Sequence, residues 1–207
     1  MEGKHPKWLD WAREIFSLSQ AGLSYSKNEF DLKSYKRLLE ITAEIIAYNT
    51  KLSKESVLEN FSMQHGYATP KVDVRGGVIQ DGKILLVQER ADNKWSMPGG
   101  WCDISEIPSA MVAREVWEES GFEVRVDKMV GIYDANRLIP LEFFHPYKLI
   151  FLCTIIGGEA KPSMETLAVD YFEPNEIPPL SEFRTNQSMI AEVSAHIMDP
   201  KRPTYFE

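Results

Sequence analysis

Cysteine is scarce in this chain. Cys102 and Cys153 are the only two among 207 residues. Two thiols are no disulfide framework, and without a Cys-x-x-Cys spacing a zinc site is not expected. Both are expected as buried free thiols. Long apolar runs are also missing. No stretch approaches the ~20 residues of a membrane span. No apolar run follows the charges of "MEGKHPKWLDWAREIF", so a signal peptide is not expected and a cytoplasmic address follows by default. Positive charge is in deficit, with a net charge of -8. A broad basic surface for long nucleic acid or acidic membrane is thereby excluded. An acidic protein that acts on a phosphate ester needs a cation between itself and its substrate, and a divalent metal is the usual one. Internal repeats and low-complexity tracts are absent too.

What remains is a globular balance, 43% hydrophobic and 26% charged, long enough for one ordinary domain and a small second one. Residues 1–65 read as helices. Trp8, Trp11, Ala12, Ile15, Leu18 and Ser19 fall at three- and four-residue steps, on a helix expected to end before Ala21-Gly22. Asp31 is the expected N-cap of the next, whose stripe runs Leu32, Tyr35, Leu38, Leu39, Thr42, Ile45, Ile46. Ser53 can cap a short third helix with Val57, Leu58 and Phe61 inward. "QHGYATPK" reads as a linker.

From Val72 the pattern changes, and residues 66–207 read as the second domain. "VDVRGGVI" and "KILLVQE" are β-rich runs split by Asp81-Gly82, a hairpin signal. A helix after Gly99-Gly100 closes at Gly121. "FEVRVDKMVGIYDA", "YKLIFLCTII" and "AVDYF" read as strands, and "RTNQSMIAEVSAHIM" as a closing helix. The expected class is α/β, a mixed sheet between helices, preceded by a small all-α domain.

The chemistry gathers in "REVWEES", residues 114–120. At 100° per residue, Glu115, Glu118 and Glu119 lie within an arc of roughly 100°. Ala110, Ala113, Val116 and Trp117 take the other side and can face a core, and Pro108 suits the first turn. Three carboxylates on one solvent-facing patch repel each other, and a hard cation such as Mg²⁺ would relieve them. A plain solvated face is the ordinary explanation of such a run. The frame overturns it. "GWCDISEIPSAMVAREVWEESGF" fits G-x5-E-x7-R-E-U-x-E-E-x-G-U, U being a bulky apolar residue, at Gly100, Glu106, Arg114, Glu115, Val116, Glu118, Glu119, Gly121 and Phe122. A chance match somewhere in the chain is about one in a million.

The sequence thus resembles the Nudix hydrolase family, with its box complete. The resemblance implies a Nudix fold and Mg²⁺- or Mn²⁺-dependent hydrolysis of a nucleoside diphosphate linked to a group X. It implies metal ligands at Glu115, Glu118 and Glu119, with Glu106 and the Gly100 carbonyl as further candidates. Arg114 would orient one of the glutamates, and Glu118, Glu119 and Arg114 would be catalytic. Relatives of this kind also carry a glutamate in the loop before a late strand, as metal ligand or general base; Glu165 in "METLAVDYF" matches it. Where some members have another carboxylate this chain has Ala168. A non-catalytic Nudix-fold module would lose box glutamates, and this chain keeps them all.

The helical segment and "VDVRGGVI…KILLVQERADNKWSMPGGW" resemble a bacterial subgroup that includes CDP-choline pyrophosphatases and UDP-X diphosphatases. The resemblance implies conversion of CDP-choline to CMP and phosphocholine, with ADP-ribose, a UDP-sugar or an RNA end as alternatives. Arg75 and Arg90 are candidate phosphate contacts. Trp95 and Trp101 could stack on a base or box an ammonium. Asp103, and Tyr133, Asp134 and Arg137 of "YDANR", are candidate substrate contacts, with His145 and Tyr147 at the same mouth. A helical domain of ~60 residues is marginal alone. A homodimer through or near it is expected.

Overall fold

The computed structural model describes residues 6–62, 66, 68–135 and 145–206. Arg137, a candidate above, lies outside the described residues. The described residues divide into two compact units, one up to Pro70 and one from Lys71 onward.

The first unit holds α1 (Lys7–Tyr25), α2 (Glu29–Asn49) and α3 (Lys54–Ser62). Helix α1 runs on through Ala21-Gly22, past its expected end. Gly22 is there for closeness: a Cβ would sit 2.4 Å from the ring of Tyr35 on α2. The cap of α2 is Asn28, whose side chain accepts the Phe30 N–H, in place of the expected Asp31. Ser53 does cap α3, accepting from Ser56 N at 3.1 Å. Ala12, Ala43, Ile46, Val57 and Phe61 form the buried core, with Phe16 stacked on Phe61 at 4.4 Å. The inward line of α1 is Leu9, Ala12, Phe16 and Ser19. Trp11 and Leu18, expected on that stripe, face solvent with Tyr25, Phe30 and Tyr48.

The second unit is built on a seven-stranded mixed sheet. Its strands are β1 (Lys71–Gln80), β2 (Lys83–Glu89), β3 (Trp95–Ser96), β4 (Phe122–Asp134), β5 (Pro146–Gly158), β6 (Thr166–Phe172) and β7 (Tyr205–Phe206). The spatial order is β3-β2-β1-β5-β4-β7, with β6 also paired to β2. The β1–β2 turn has Asp81 at φ 51° and Gly82 at φ 80°, both left-handed as a tight two-residue hairpin requires. β1 then pairs in parallel with β5, from Lys71↔Pro146 to Val78↔Cys153.

Helix α4 (Pro108–Ser120) covers one face of this sheet with Val74, Val78, Leu85, Val124 and Phe151. Helix α5 (Gln187–Met198) covers the other with Ile84, Met97, Val130 and Ile150. Pro108 opens α4 and Gly121, at φ 81°, closes it. The face of α4 toward the core is Met111, Val112, Val116 and Ser120. Trp117, expected on that face, is 54% exposed, and Ala110 is exposed as well. Cys153 is buried and Cys102 half-buried, both as free thiols. Among the described residues no helix is long and apolar enough to cross a membrane.

Candidate active site

Strand β1 supplies the floor. Side chains two apart share a strand face, so Asp73 and Arg75 lie side by side. Arg75 forks onto Asp73, Nε to Oδ1 at 3.0 Å and Nη2 to Oδ2 at 2.7 Å, and its Nη1 donates to the Met97 carbonyl. Lys148 on β5 donates to the same carboxylate at 3.1 Å. All three are buried. Burial disfavours these charges most, yet the mutual pairing prevails: Asp73 is held below the usual carboxylate range and Arg75 stays firmly charged. Arg75, expected as a phosphate contact, is thus a buried wall residue, 4% exposed with all its guanidinium nitrogens engaged.

The loop from Met97 to Cys102 runs along β1. Pro98 O, Gly100 O and Val72 O accept from Gly76, Val74 and Cys102 N–H, each at 2.8 Å. Gly99 takes φ 146°, and a Cβ there would lie 2.0 Å from the Val74 carbonyl. Gly76 lets α4 approach, since a Cβ there would lie 2.4 Å from Val116. These close contacts set the carboxylates of α4 over β1.

Those carboxylates do not share one solvated patch. Glu119 is buried, 7% exposed, and accepts the Gly99 N–H at 2.9 Å. Burial pushes its pKa up to about 8, against the pull of Arg75 and that hydrogen bond. Glu115 is also pushed up, mainly by burial. Glu118 is the one that faces water. Arg114 fans across four carboxylates: Glu106 through two nitrogens at 3.0 and 2.8 Å, Glu115 and Glu118 at 3.0 Å, and Asp103 at 3.2 Å. Its hydrogen bonds hold Glu106 below the ordinary glutamate range. Asp103 is thus spent on Arg114, and it does not line the cleft.

The opposite wall is the loop before β6. Glu165 sits on it, with its backbone N–H on Ser163 Oγ. Thr166 Oγ1 donates to the Glu119 carbonyl, which ties this wall to α4. Arg90 donates to the carbonyls of Met164 and Thr166 from outside the cleft. Its guanidinium clips the loop, in place of the phosphate contact expected of it. Trp95 packs its ring edge-on against Phe172 at 4.7 Å and belongs to the core. Tyr133 is a core residue as well, 4.9 Å from Tyr205. Asp134 lies 3.1 Å from His145 Nε2, away from the cleft lining. Of the two candidate tryptophans, Trp101 alone reaches the cleft, 43% exposed.

The cleft measures ≈ 480 Å³, a usual size for a small-molecule site. Six carboxylates (Asp73, Glu89, Glu115, Glu118, Glu119, Glu165) and three guanidiniums (Arg75, Arg114, Arg184) line it. That excess of negative charge would repel a diphosphate unless a cation came with it. The donors are hard oxygens suited to Mg²⁺ or Mn²⁺. Among the described residues, though, no three His, Cys, Asp or Glu side chains already converge as a metal shell. The guanidinium of Arg114 takes oxygens of Glu106, Glu115 and Glu118 itself.

Several lining residues were not singled out from sequence. Asp73 and Glu89 are carboxylates inside apolar strand runs, which is a legible signal of function. Glu89 is buried, accepts from Ser96 Oγ at 2.5 Å and lies 3.2 Å from Arg184 Nε. Phe183 and Arg184, in a Pro-broken segment, carry no such signal.

Known proteins match this architecture. The family described as the NUDIX domain matches residues 70–193. A family described as a UDP-X-like, N-terminal oligomerisation domain matches residues 6–61. YjhB of Bacillus subtilis (strain 168), a candidate ADP-ribose pyrophosphatase, is 33% identical over 202 residues, 97% of each chain. The crystal structure of an ADP-ribose pyrophosphatase from Streptococcus suis 89-1591 is 36% identical, with TM-score 0.63 over 67% of this chain and all of that one. The structure of a UDP-X diphosphatase is 27% identical, with TM-score 0.63 over 97% of this chain and 98% of that one. With the box on α4, the mixed sheet between two helices and a relative aligned along nearly its whole length, the chain belongs to the Nudix hydrolases.

Proposed function

We propose that this Nudix pyrophosphatase cleaves the phosphoanhydride bond of a nucleoside diphosphate joined to a second group, with ADP-ribose as first substrate. The observation that carries the reading is the acidic cleft around the complete box, six carboxylates against three guanidiniums. The names of the relatives support ADP-ribose and, next, a UDP-X compound. CDP-choline, implied by the resemblance, has less support. Trp95 is spent on Phe172, so only one of the two tryptophans could help box an ammonium. The acidic surface weighs against long RNA.

Glu115, Glu118 and Glu119 would hold Mg²⁺ or Mn²⁺, with Glu106 at the edge. The Gly100 carbonyl already accepts from Val74 N–H and has one lone pair left to offer. A cation bound there would supply charge neutralisation of the diphosphate and activation of water. Arg114 orients Glu115 and Glu118 through its ion pairs. Glu119 is positioned by the Gly99 N–H. Glu165 makes no side-chain hydrogen bond among the described residues and is free to accept a proton across the cleft.

Residues 1–65 form the oligomerising helical domain in this reading, and residues 66–207 the hydrolase domain. The outward Trp11, Leu18 and Tyr25 support a homodimer through the helices, as does the description of the matching family. A panel of ADP-ribose, UDP-sugars, CDP-choline and short RNA, with Mg²⁺, tests the activity. Release of AMP and ribose 5-phosphate from ADP-ribose is expected; no turnover of any member sinks the reading.

A further inference from the structure

Three guanidiniums line the cleft, and two are fully occupied. Arg75 gives every nitrogen to Asp73 and Met97, and Arg114 gives its own to four carboxylates. Arg184 differs. Its Nε lies 3.2 Å from Glu89 and its Nη1 donates to Ser181 Oγ at 3.1 Å. Its Nη2 makes no hydrogen bond among the described residues. It is the lining cation with donor capacity left over, and it comes from a segment separate from the box.

The residue before it is unusual for a different reason. Phe183 is 41% exposed and lines the same cleft. An exposed ring on a loose loop means little. This segment is stitched down: Trp95 N–H donates to Pro179 O, Ser181 N–H to Trp95 O, and Met97 N–H to the buried Thr185 hydroxyl at 2.9 Å. A large apolar ring held in water by a fixed backbone costs free energy unless something covers it in use. Two cations also stand near it, with Lys148 Nζ and Arg184 Cζ each 5.8 Å from the ring centre. They disfavour a cationic guest on that ring and leave a neutral, flat one.

We propose that Phe183 and Arg184 form the nucleoside-monophosphate subsite of the cleft. Phe183 is the stacking platform for the nucleobase, and Arg184 donates to the phosphate of that half of the substrate. The subsite rests on the reading of the protein as a nucleoside-diphosphate pyrophosphohydrolase and adds the residues that hold its nucleotide end. It also assigns the distal group X to the remainder of the cleft, where Trp101 stands.

The test reads product affinity by calorimetry, separately from turnover. Turnover of ADP-ribose by the natural chain judges the enzymatic reading alone. For the subsite, AMP and ribose 5-phosphate are titrated into the natural protein and into Phe183→Ala, Phe183→Trp, Arg184→Gln and Arg184→Lys. Phe183→Ala is expected to weaken AMP at least tenfold and leave ribose 5-phosphate within twofold, with Phe183→Trp restoring AMP. Arg184→Gln is expected to weaken AMP at least fivefold, with part regained in Arg184→Lys. Unchanged AMP affinity in Phe183→Ala overturns the subsite. So does an equal loss for both ligands, absence of AMP binding by the natural protein, or a matching loss of Mn²⁺ affinity in Phe183→Ala, which would show general damage to the cleft.

Discussion

In the helical unit, Trp11, Leu18, Tyr25, Phe30 and Tyr48 face water, while in the sheet unit Asp73, Arg75, Glu89, Glu119 and Lys148 face inward. The sheet unit also exposes large apolar side chains, Ile104, Trp117 and Phe206 among them, so what sets it apart is its buried charge. Outward aromatics are useful only to something that comes to cover them. Inward charges are tolerated only when paired, and they cost stability unless their geometry is used. The first pattern is that of an association surface and the second that of a reaction site.

The sharpest way to break the contrast is to remove one carboxylate of the reaction site, the water-facing Glu118. Glu118→Gln should lower turnover at least about a hundredfold with the fold intact, checked by steady-state kinetics and circular dichroism. Unchanged kcat would leave the carboxylates as ornament to the surface.

Closing the approach of α4 to β1 comes next. Gly76→Ala places a methyl against Val116 and should cost about 1–3 kcal/mol, read from urea unfolding, with activity reduced alongside. The outward pattern is tested by Trp11→Ser with Leu18→Ser. The pair should shift the sedimentation profile toward monomer while the melting of the sheet unit is unchanged. A natural chain that is already monomeric removes the association half of the comparison.

The smallest effect lies far from the cleft. His196 is buried, with its Nε2 3.3 Å from Glu192 Oε1. Burial first, then Lys128 and Arg202, lowers its pKa, against the opposing pull of Glu192. A base with a depressed folded pKa binds fewer protons folded than unfolded. Its stabilising contribution is therefore full above the unfolded value near ~6.5 and is lost as pH falls below it. The urea midpoint of the natural protein, relative to His196→Phe, should drop between pH 7.5 and 5.5. A constant difference refutes it.

How much of this could be read from sequence depends on how local each determinant is. Asp81-Gly82, Pro108 and Gly121 punctuate by their own backbone preferences, and each stands where expected. The box is one helix and its loop, so its spacing carried the family. The expected solvated patch failed at Glu119, because a helix wheel shows direction and not what lies there; here it is the Gly99 loop. Trp11 and Leu18 failed for a related reason: the periodicity of α1 fits two lines one residue apart, and only the packing against α2 and α3 decides between them. Arg75 looked like a free cation, yet its partner stood two residues away on the same strand face. Phe183 and Arg184 were beyond reach, since their place in the cleft depends on a segment about 80 residues after the glycine loop being stitched to β3.

The loop before β6 has one more consequence. Arg90 grips the carbonyls of Met164 and Thr166, its own N–H donates to Glu165 O, and Thr166 reaches across to Glu119. The jaw that carries Glu165 is therefore clamped from both sides to the strand and the helix that form the rest of the cleft. Lengthening the arm between Gly158 and Ser163 would leave the clamp intact, and loss of the Arg90 side chain would still leave the loop held by the Arg90 N–H and by Thr166.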